Sequence, residues 1–218
     1  MPKKIGVLLS GCGVFDGAEI HESVLTLLFL DQAGAQIVCM APDVDQMHVI
    51  DHTNQSLMDQ KRNVLVESAR IARGAIADLK TIRAEDIDAL IIPGGFGAAK
   101  NLSDFAVAGP NAKVHPEVQR LLNEMAESRK PIGALCIAPA TLAKALAAYH
   151  PEVTIGTDVG TAAAIEKTGG KHRCCNVDEI CVDEAHRIVT TPAYMLGPSI
   201  RHIAVGIEKL VQKIVQMA

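Results

Sequence analysis

Five short apolar runs recur along the chain, "KIGVLLS", "AQIVCMA", "DALIIPGG", "KPIGALC" and "RIVTTPA", and each stops at a Gly, a Pro or a small residue. Near-continuous apolar runs of this length are the pattern of strands buried on both faces of a parallel sheet. Between them lie segments of helical character: "AEIHESVLTLLFLDQAG", "NVLVESARIAR", "HPEVQRLLNEMAESR", "APATLAKALAAY", "GTAAAIEKTG" and "SIRHIAVGIEKLVQKIVQ". The last has an apolar face wide enough for core packing. Strand and helix alternate, which predicts an α/β fold with an open, doubly wound sheet and functional sites beyond the carboxyl ends of its strands. "MHVIDHTNQSLMDQ" departs from this plan: two short alternating runs flank Thr53, Asn54 and Gln55 and read as an inserted hairpin. No repeat, low-complexity stretch or Gly/Ser linker divides the chain, so residues 1–218 are expected to form a single domain.

Composition narrows the function classes. The chain has 218 residues, 49% of them hydrophobic, enough for one sizeable core. Its 21 Lys and Arg against 25 Asp and Glu, with 3% aromatic residues, offer neither a phosphate-neutralising surface nor a base-stacking platform, so no nucleic-acid partner is expected. "MPKKIGVLLSGCG" has a basic start and an apolar run, but the run breaks at Gly11 and Gly13 and reads as a first buried strand rather than a signal peptide. No segment reaches the roughly 20 apolar residues of a membrane helix. A soluble, cytoplasmic protein is the expectation. The six cysteines show no CxxC spacing and fit reduced thiols. "KHRCCNVDEIC" offers His172, Cys174, Cys175 and Cys181, but adjacent residues of a strand face opposite ways, and no metal site is expected there.

Three stretches could carry chemistry. In "PIGALCIAPAT", Cys136 is flanked two residues away by Ala134 and Ala138. A residue on a sharp strand-to-helix turn is strained, and its neighbours must be small where strand and helix crowd together. The following helix N-terminus would lower the thiol pKa. Cys136 therefore reads either as a displayed nucleophile or as a small buried hydrophobe. In "IIPGGFGAAKNLS", a buried strand ends in Gly94 and Gly95, whose backbone could form an oxyanion hole or simply an ordinary turn. In "GAEIHESVLTLL", Glu22 lies on a helix with Ile20, Val24, Leu27 and Leu28 as its apolar face. Partial burial there would raise its pKa toward that of a proton shuttle, although an acid in a first helical turn is also favoured by the dipole alone. Glu19 competes for the same role and is the more solvated of the two.

Taken in order, Cys136 at the elbow, Gly94 and Gly95 after the preceding strand and Glu22 on the first helix resemble the class I glutamine amidotransferase-like superfamily in its PfpI/deglycase branch. Within it, "SGCGVFDGAEIHE", "PGGFGAAKNLS", "CIAPA", "TIGTD" and "TTPAYM" look closely like the ElbB family, known as glyoxalase or isoprenoid-biosynthesis-associated proteins, along essentially the whole chain. The resemblance implies a flavodoxin-like three-layer sandwich with a mainly parallel sheet and a nucleophile elbow, a homodimer, and weak, cofactor-free conversion of glyoxal, a small dicarbonyl, to glycolate. It places the nucleophile on Cys136, its carboxylate partner on Glu22, and the oxyanion donors on Gly95 and Ile137. By family position Asn101 and Tyr194 line the pocket.

The chain departs from the superfamily in one respect. Many members carry a histidine beside the cysteine, whereas the region after the elbow helix reads "VTIGTD", so that Asp158 or Thr157 stands where the imidazole is expected. His21 adjoins Glu22 but points about 100° away around the helix. Glutamine amide hydrolysis, which needs an imidazole-like acid for its amine leaving group, is not expected; an aldehyde needs less. Cys12 follows the first strand toward the same rim as Cys136 and reads as a resolving thiol or as a loop residue. Besides the glyoxalase reading, a non-catalytic thiol sensor of oxidants or electrophiles fits the same thiol and acid. An accessory role in isoprenoid synthesis rests on the resemblance alone.

Overall fold

The computed structural model describes residues 2–218. Strands β1 (Lys4–Leu8), β2 (Gln36–Ala41), β5 (Ile76–Asp78), β6 (Ala89–Ile92), β7 (Ile132–Leu135), β10 (Cys181–Asp183) and β11 (Ile188–Thr191) form one seven-stranded sheet in the order β10-β11-β7-β6-β1-β2-β5. All neighbours run parallel except β10 and β11. The central strands β6, β7 and β11 are buried throughout because both faces are covered. Ile5, Val7, Leu9, Ile91 and Val189 pack beneath α1 (Ile20–Gln32), α2 (Val64–Ile71) and α8 (Ile200–Met217). Leu8, Leu90, Ile92 and Ile132 pack beneath α3 (Phe96–Lys100), α5 (Pro116–Glu127), α6 (Ala138–Ala145) and α7 (Val159–Lys167). This is the three-layer sandwich with a mostly parallel sheet that the apolar runs and the resemblance imply.

The inserted hairpin is present as β3 (Ile50–Asp51) and β4 (Ser56–Leu57). It is tied to the loop after β1: the Ile50 N–H donates to Asp16 Oδ2 at 2.7 Å, and the Phe15 N–H to His52 Nε2 at 3.3 Å. Elements without a clear sequence pattern are the short helix α4 (Phe105–Ala108), the two-residue pair β8 (Glu152–Val153) and β9 (Lys171–His172), and the edge strands β5 and β10. Cys174 and Cys175 fall in the loop between β9 and β10 rather than on a strand, with Cys174 exposed and Cys175 buried. Among the described residues no helix is long and apolar enough to cross a membrane.

Helix α1 reverses the face expected of it. Its buried residues are Glu22, Ser23, Thr26 and Leu30, while Ile20, Val24 and Leu28 are 42%, 49% and 44% exposed. The polar inward face satisfies itself: Ser23 Oγ donates to the Glu19 carbonyl and Thr26 Oγ1 to the Glu22 carbonyl, each at 2.7 Å. Hydrophobicity alone mis-orients a helix whose inner turn serves a site.

Helix α8 covers the strands that carry the site, burying Ile203, Ile207, Leu210, Val211 and Ile214. Gly133 of β7 has no side chain because Leu210 occupies the space where one would project. Leu210→Ala leaves a cavity there, and denaturant unfolding should show a loss of about 2–5 kcal/mol; a loss below about 1 kcal/mol would contradict this packing.

Candidate active site

The chain turns sharply at Cys136, directly after β7 and one residue before the N-cap of α6. Its φ is +58°, in the left-handed region that a non-glycine residue enters only under strain of about 1–3 kcal/mol. The strain is held from below by the Cys136 N–H, which donates to the Thr191 carbonyl at 3.0 Å. Ala134 and Ala138, both fully buried, supply the small flanks that the spacing predicts. The elbow is real.

Gly94 and Gly95 follow β6, the neighbour of β7. A side chain on Gly94 would collide with Cys136 Cβ and Glu22 Oε2, and Gly95 has φ +91° with the Glu19 N–H against it. These glycines are required by close approach. They let the Gly94 N–H donate to Glu22 Oε2 at 2.9 Å and the Gly94 carbonyl accept from the Glu19 N–H at 2.9 Å. The N–H groups of Gly95 and Ile137 both point at the Cys136 sulfur.

Glu22 enters from α1 and is fully buried. Its Oε1 accepts from the Tyr194 N–H at 3.1 Å, its Oε2 from Gly94, and its carboxyl shares a hydrogen bond with the Cys136 thiol. Burial, reinforced by the charge of Glu19, pushes its pKa up to about 8. Glu19 is also buried, at 7% exposure, and is the N-cap of α1: its Oε2 accepts from the Glu22 N–H at 2.7 Å. The two acids are therefore one unit, with Glu19 nearer solvent and Glu22 against the sulfur.

The expected depression of the Cys136 pKa does not occur. Burial pushes the thiol up and the Glu22 carboxylate adds to it; the Gly95 and Ile137 N–H groups pull the other way without prevailing. A helix N-terminus stabilises a thiolate only as far as desolvation allows. Cys136 and Glu22 therefore titrate as a coupled pair that gives up its first proton reluctantly.

Other sequence-predicted residues are placed differently. The Asn101 carboxamide is spent on backbone: Nδ2 donates to the Ser10 and Asp16 carbonyls at 2.8 and 2.9 Å, and Oδ1 accepts from the Met47 N–H at 2.9 Å. It fastens the loop after β1 to the hairpin segment rather than offering groups to a ligand. Asp158 is exposed and caps α7, accepting from the Thr161 N–H at 2.7 Å, which lowers its pKa; it does not stand in for an imidazole. Cys12 sits in the loop after β1, where burial, joined by the charges of Glu67 and Asp16 and opposed by Arg70, raises its pKa. Tyr194 reaches the site through its backbone N–H, and its hydroxyl meets His21 Nδ1 at 2.8 Å. His21 is the residue that sequence reasoning set aside. It does point away from Glu22 along α1, but the turn after β11 brings Tyr194 across to meet it. A cavity of about 280 Å³ lined by Arg129, Tyr149, His186 and Arg187 opens at the opposite, N-terminal ends of β7 and β11, and its walls hold no thiol or carboxylate.

The model of the DJ-1/PfpI family matches residues 12–194, the span that holds every element of this site. The chain belongs to the DJ-1/PfpI family. It is 48% identical to the human "Glutamine amidotransferase-like class 1 domain-containing protein 3, mitochondrial", over 98% of this chain and 83% of that one. With the rat "ES1 protein homolog, mitochondrial" it shares 47% identity over 98% of this chain and 84% of that one. The crystal structure of an isoprenoid biosynthesis protein with an amidotransferase-like domain from Ehrlichia chaffeensis superposes with a TM-score of 0.91 at 38% identity, covering 99% of this chain and all of that one. The mitochondrial relatives overturn the expectation of a cytoplasmic location, which composition could not decide.

The raised pKa of Glu22 has a consequence for stability. The folded chain holds a proton on Glu22 that the unfolded chain releases above its ordinary value of 4.5, so stability falls as pH rises from about 4.5 to about 8. Glu22→Gln removes this loss. Denaturant titrations between pH 5 and pH 8 should show the variant gaining on the parent protein by on the order of a few kcal/mol; a difference independent of pH would mean that Glu22 is ionised throughout.

Proposed function

We propose that this DJ-1/PfpI protein is a cofactor-independent glyoxalase-type lyase of low catalytic efficiency that converts glyoxal to glycolate, and that within its family it stands with the ElbB-type proteins. The observation that carries this reading is the pairing of an elbow cysteine with a wholly buried, hydrogen-bonded carboxyl whose pKa is about 8. Such an acid can both give and take a proton near neutral pH. Cys136 is only 7% exposed, which favours a small electrophile over a peptide or a large metabolite.

In the state with one proton shared by the pair, the Cys136 sulfur attacks one aldehyde carbon of glyoxal. A C–S bond forms, and the carbonyl oxygen, met by the Gly95 and Ile137 N–H groups, takes the proton from Glu22. The hemithioacetal carbon still carries its hydrogen. Glu22, now a carboxylate, removes that hydrogen as a proton while the second aldehyde oxygen takes one from solvent, giving an enediol. Glu22 then returns its proton to the adjacent carbon and takes up the proton of the first hydroxyl, leaving a glycoloyl thioester on Cys136 and a protonated Glu22. Water cleaves the C–S bond to release glycolate. One carbon is oxidised and its neighbour reduced, so no external oxidant enters the balance.

The partners proposed with this reaction are a small dicarbonyl and a second copy of this chain. Glycolate formation from glyoxal by rigorously purified protein tests the reading beside Cys136→Ala and Glu22→Gln prepared identically. Cys136→Ala should fall to background and Glu22→Gln should lose about 10²-fold or more. Equal activity in all three would overturn it, and a readily oxidised Cys136 with no dicarbonyl turnover would favour a thiol sensor.

A further inference from the structure

Seven of the eight histidines make their contacts away from the reacting pair. His115 caps α5, His186 pairs with Asp183, His202 meets Ser199, His150 faces the Gly169 carbonyl, His172 meets the Ile155 N–H, and His52 holds the loop after β1. His48 uses its carbonyl to accept from Gln46. His21 differs. Its Nδ1 is 2.8 Å from the Tyr194 hydroxyl, the two rings lie 5.8 Å apart, and the Tyr194 backbone holds Glu22 Oε1. Ala193, at φ +43°, makes the tight turn at the end of β11 that sets Tyr194 in this position. The phenol is half-buried and feels the carboxylates of both Glu19 and Glu22, whereas the imidazole is exposed. His21 in turn draws on Glu19, opposing the rise in that carboxyl's pKa that burial causes. Tyr194 thus borders the site through its backbone, and its hydroxyl is hydrogen-bonded to an imidazole in contact with water.

Any acyl group on Cys136 must be removed by water, and that step makes two proton demands. The departing sulfur needs an acid, which Glu22 supplies with its pKa of about 8. The attacking water needs a base, and Glu22, which carries its proton near neutral pH, is not one. We propose that Tyr194 and His21 form the relay that takes the proton of this water. The water oxygen bonds to the thioester carbonyl carbon and its proton passes to the Tyr194 oxygen, while the Tyr194 hydroxyl proton passes to His21 Nδ1. The C–S bond then breaks, the sulfur takes the Glu22 proton, and the imidazole releases its proton to solvent from the exposed side. Tyr194 is the group that meets the water, and His21 acts through it. The imidazole missing beside the elbow is in this way provided from the first helix. Within the glyoxalase reading, on which it rests for its natural substrate, the relay serves the final hydrolysis.

The relay is tested without glyoxal, by acylating Cys136 with p-nitrophenyl acetate. Stopped-flow release of p-nitrophenol reads acylation, and intact-protein mass reads the lifetime of acetyl-Cys136, for the parent protein, Cys136→Ala, Tyr194→Phe and His21→Asn. The expected result is a Cys136-dependent burst of unchanged rate in both relay variants, followed by deacylation slowed by about 10²-fold. Unchanged deacylation would overturn the relay. So would a parallel fall of acylation and deacylation, which marks a structural role, and so would the absence of any Cys136-dependent burst. Glyoxal turnover measured on the same preparations separates the two claims. Slow deacylation in the variants with no glyoxal turnover in the parent protein leaves the relay standing and removes the substrate; normal deacylation beside active turnover does the reverse.

Discussion

Glu22 has no contact with solvent, yet every feature of the site is arranged around its carboxyl. One oxygen is met by the Gly94 N–H from the end of β6 and the other by the Tyr194 N–H from the end of β11, while the thiol from the end of β7 completes the set. A buried carboxyl with its acceptors filled by backbone donors is far less costly than an unpaired one, which is how the fold tolerates it. The same burial keeps a proton on it near neutral pH. Three strands and one helix must therefore end at one place. The parallel sheet provides this, because the carboxyl ends of neighbouring strands lie on one edge.

The constraint explains several features that are unfavourable when taken singly. Cys136 and Ala193 both have positive φ without being glycine, and both flank donors or partners of Glu22. Gly94 cannot carry a side chain because the carboxyl and the elbow occupy its space. Helix α1 exposes Ile20, Val24 and Leu28 and turns Glu22, Ser23 and Thr26 inward, an inversion that makes sense only if the inner turn exists to deliver an acid. Two of the seven non-glycine residues with positive φ among the described residues, and the inverted amphipathicity of α1, fall where the chemistry is proposed.

How much of this is legible from sequence follows from which quantities are local. The five apolar runs become strands and the six helical segments become helices, because burial on two faces and helical periodicity are properties of a few consecutive residues. The elbow is legible for the same reason, through Ala134 and Ala138 around Cys136. The pKa of Cys136 is not, since it depends on how deeply the sulfur is buried and on a charge placed 114 residues earlier in the chain. Asn101 looks like a pocket residue until its three backbone partners are seen. Asp158 is an ordinary helix cap. His21 is missed because a helical wheel describes one helix, whereas its partner Tyr194 comes from a turn 173 residues away.

The protonation of Glu22 at neutral pH is the property on which the pairing with Cys136, the proton shuttle and the acid role in hydrolysis all depend. Infrared difference spectroscopy of the folded protein against Glu22→Gln, taken across pH 5 to 9, measures it directly. A protonated-carboxyl band that is present at pH 7, absent from the variant and lost with a midpoint near 8 is the expected result. A Glu22 already ionised at pH 6 would contradict the shared-proton pair.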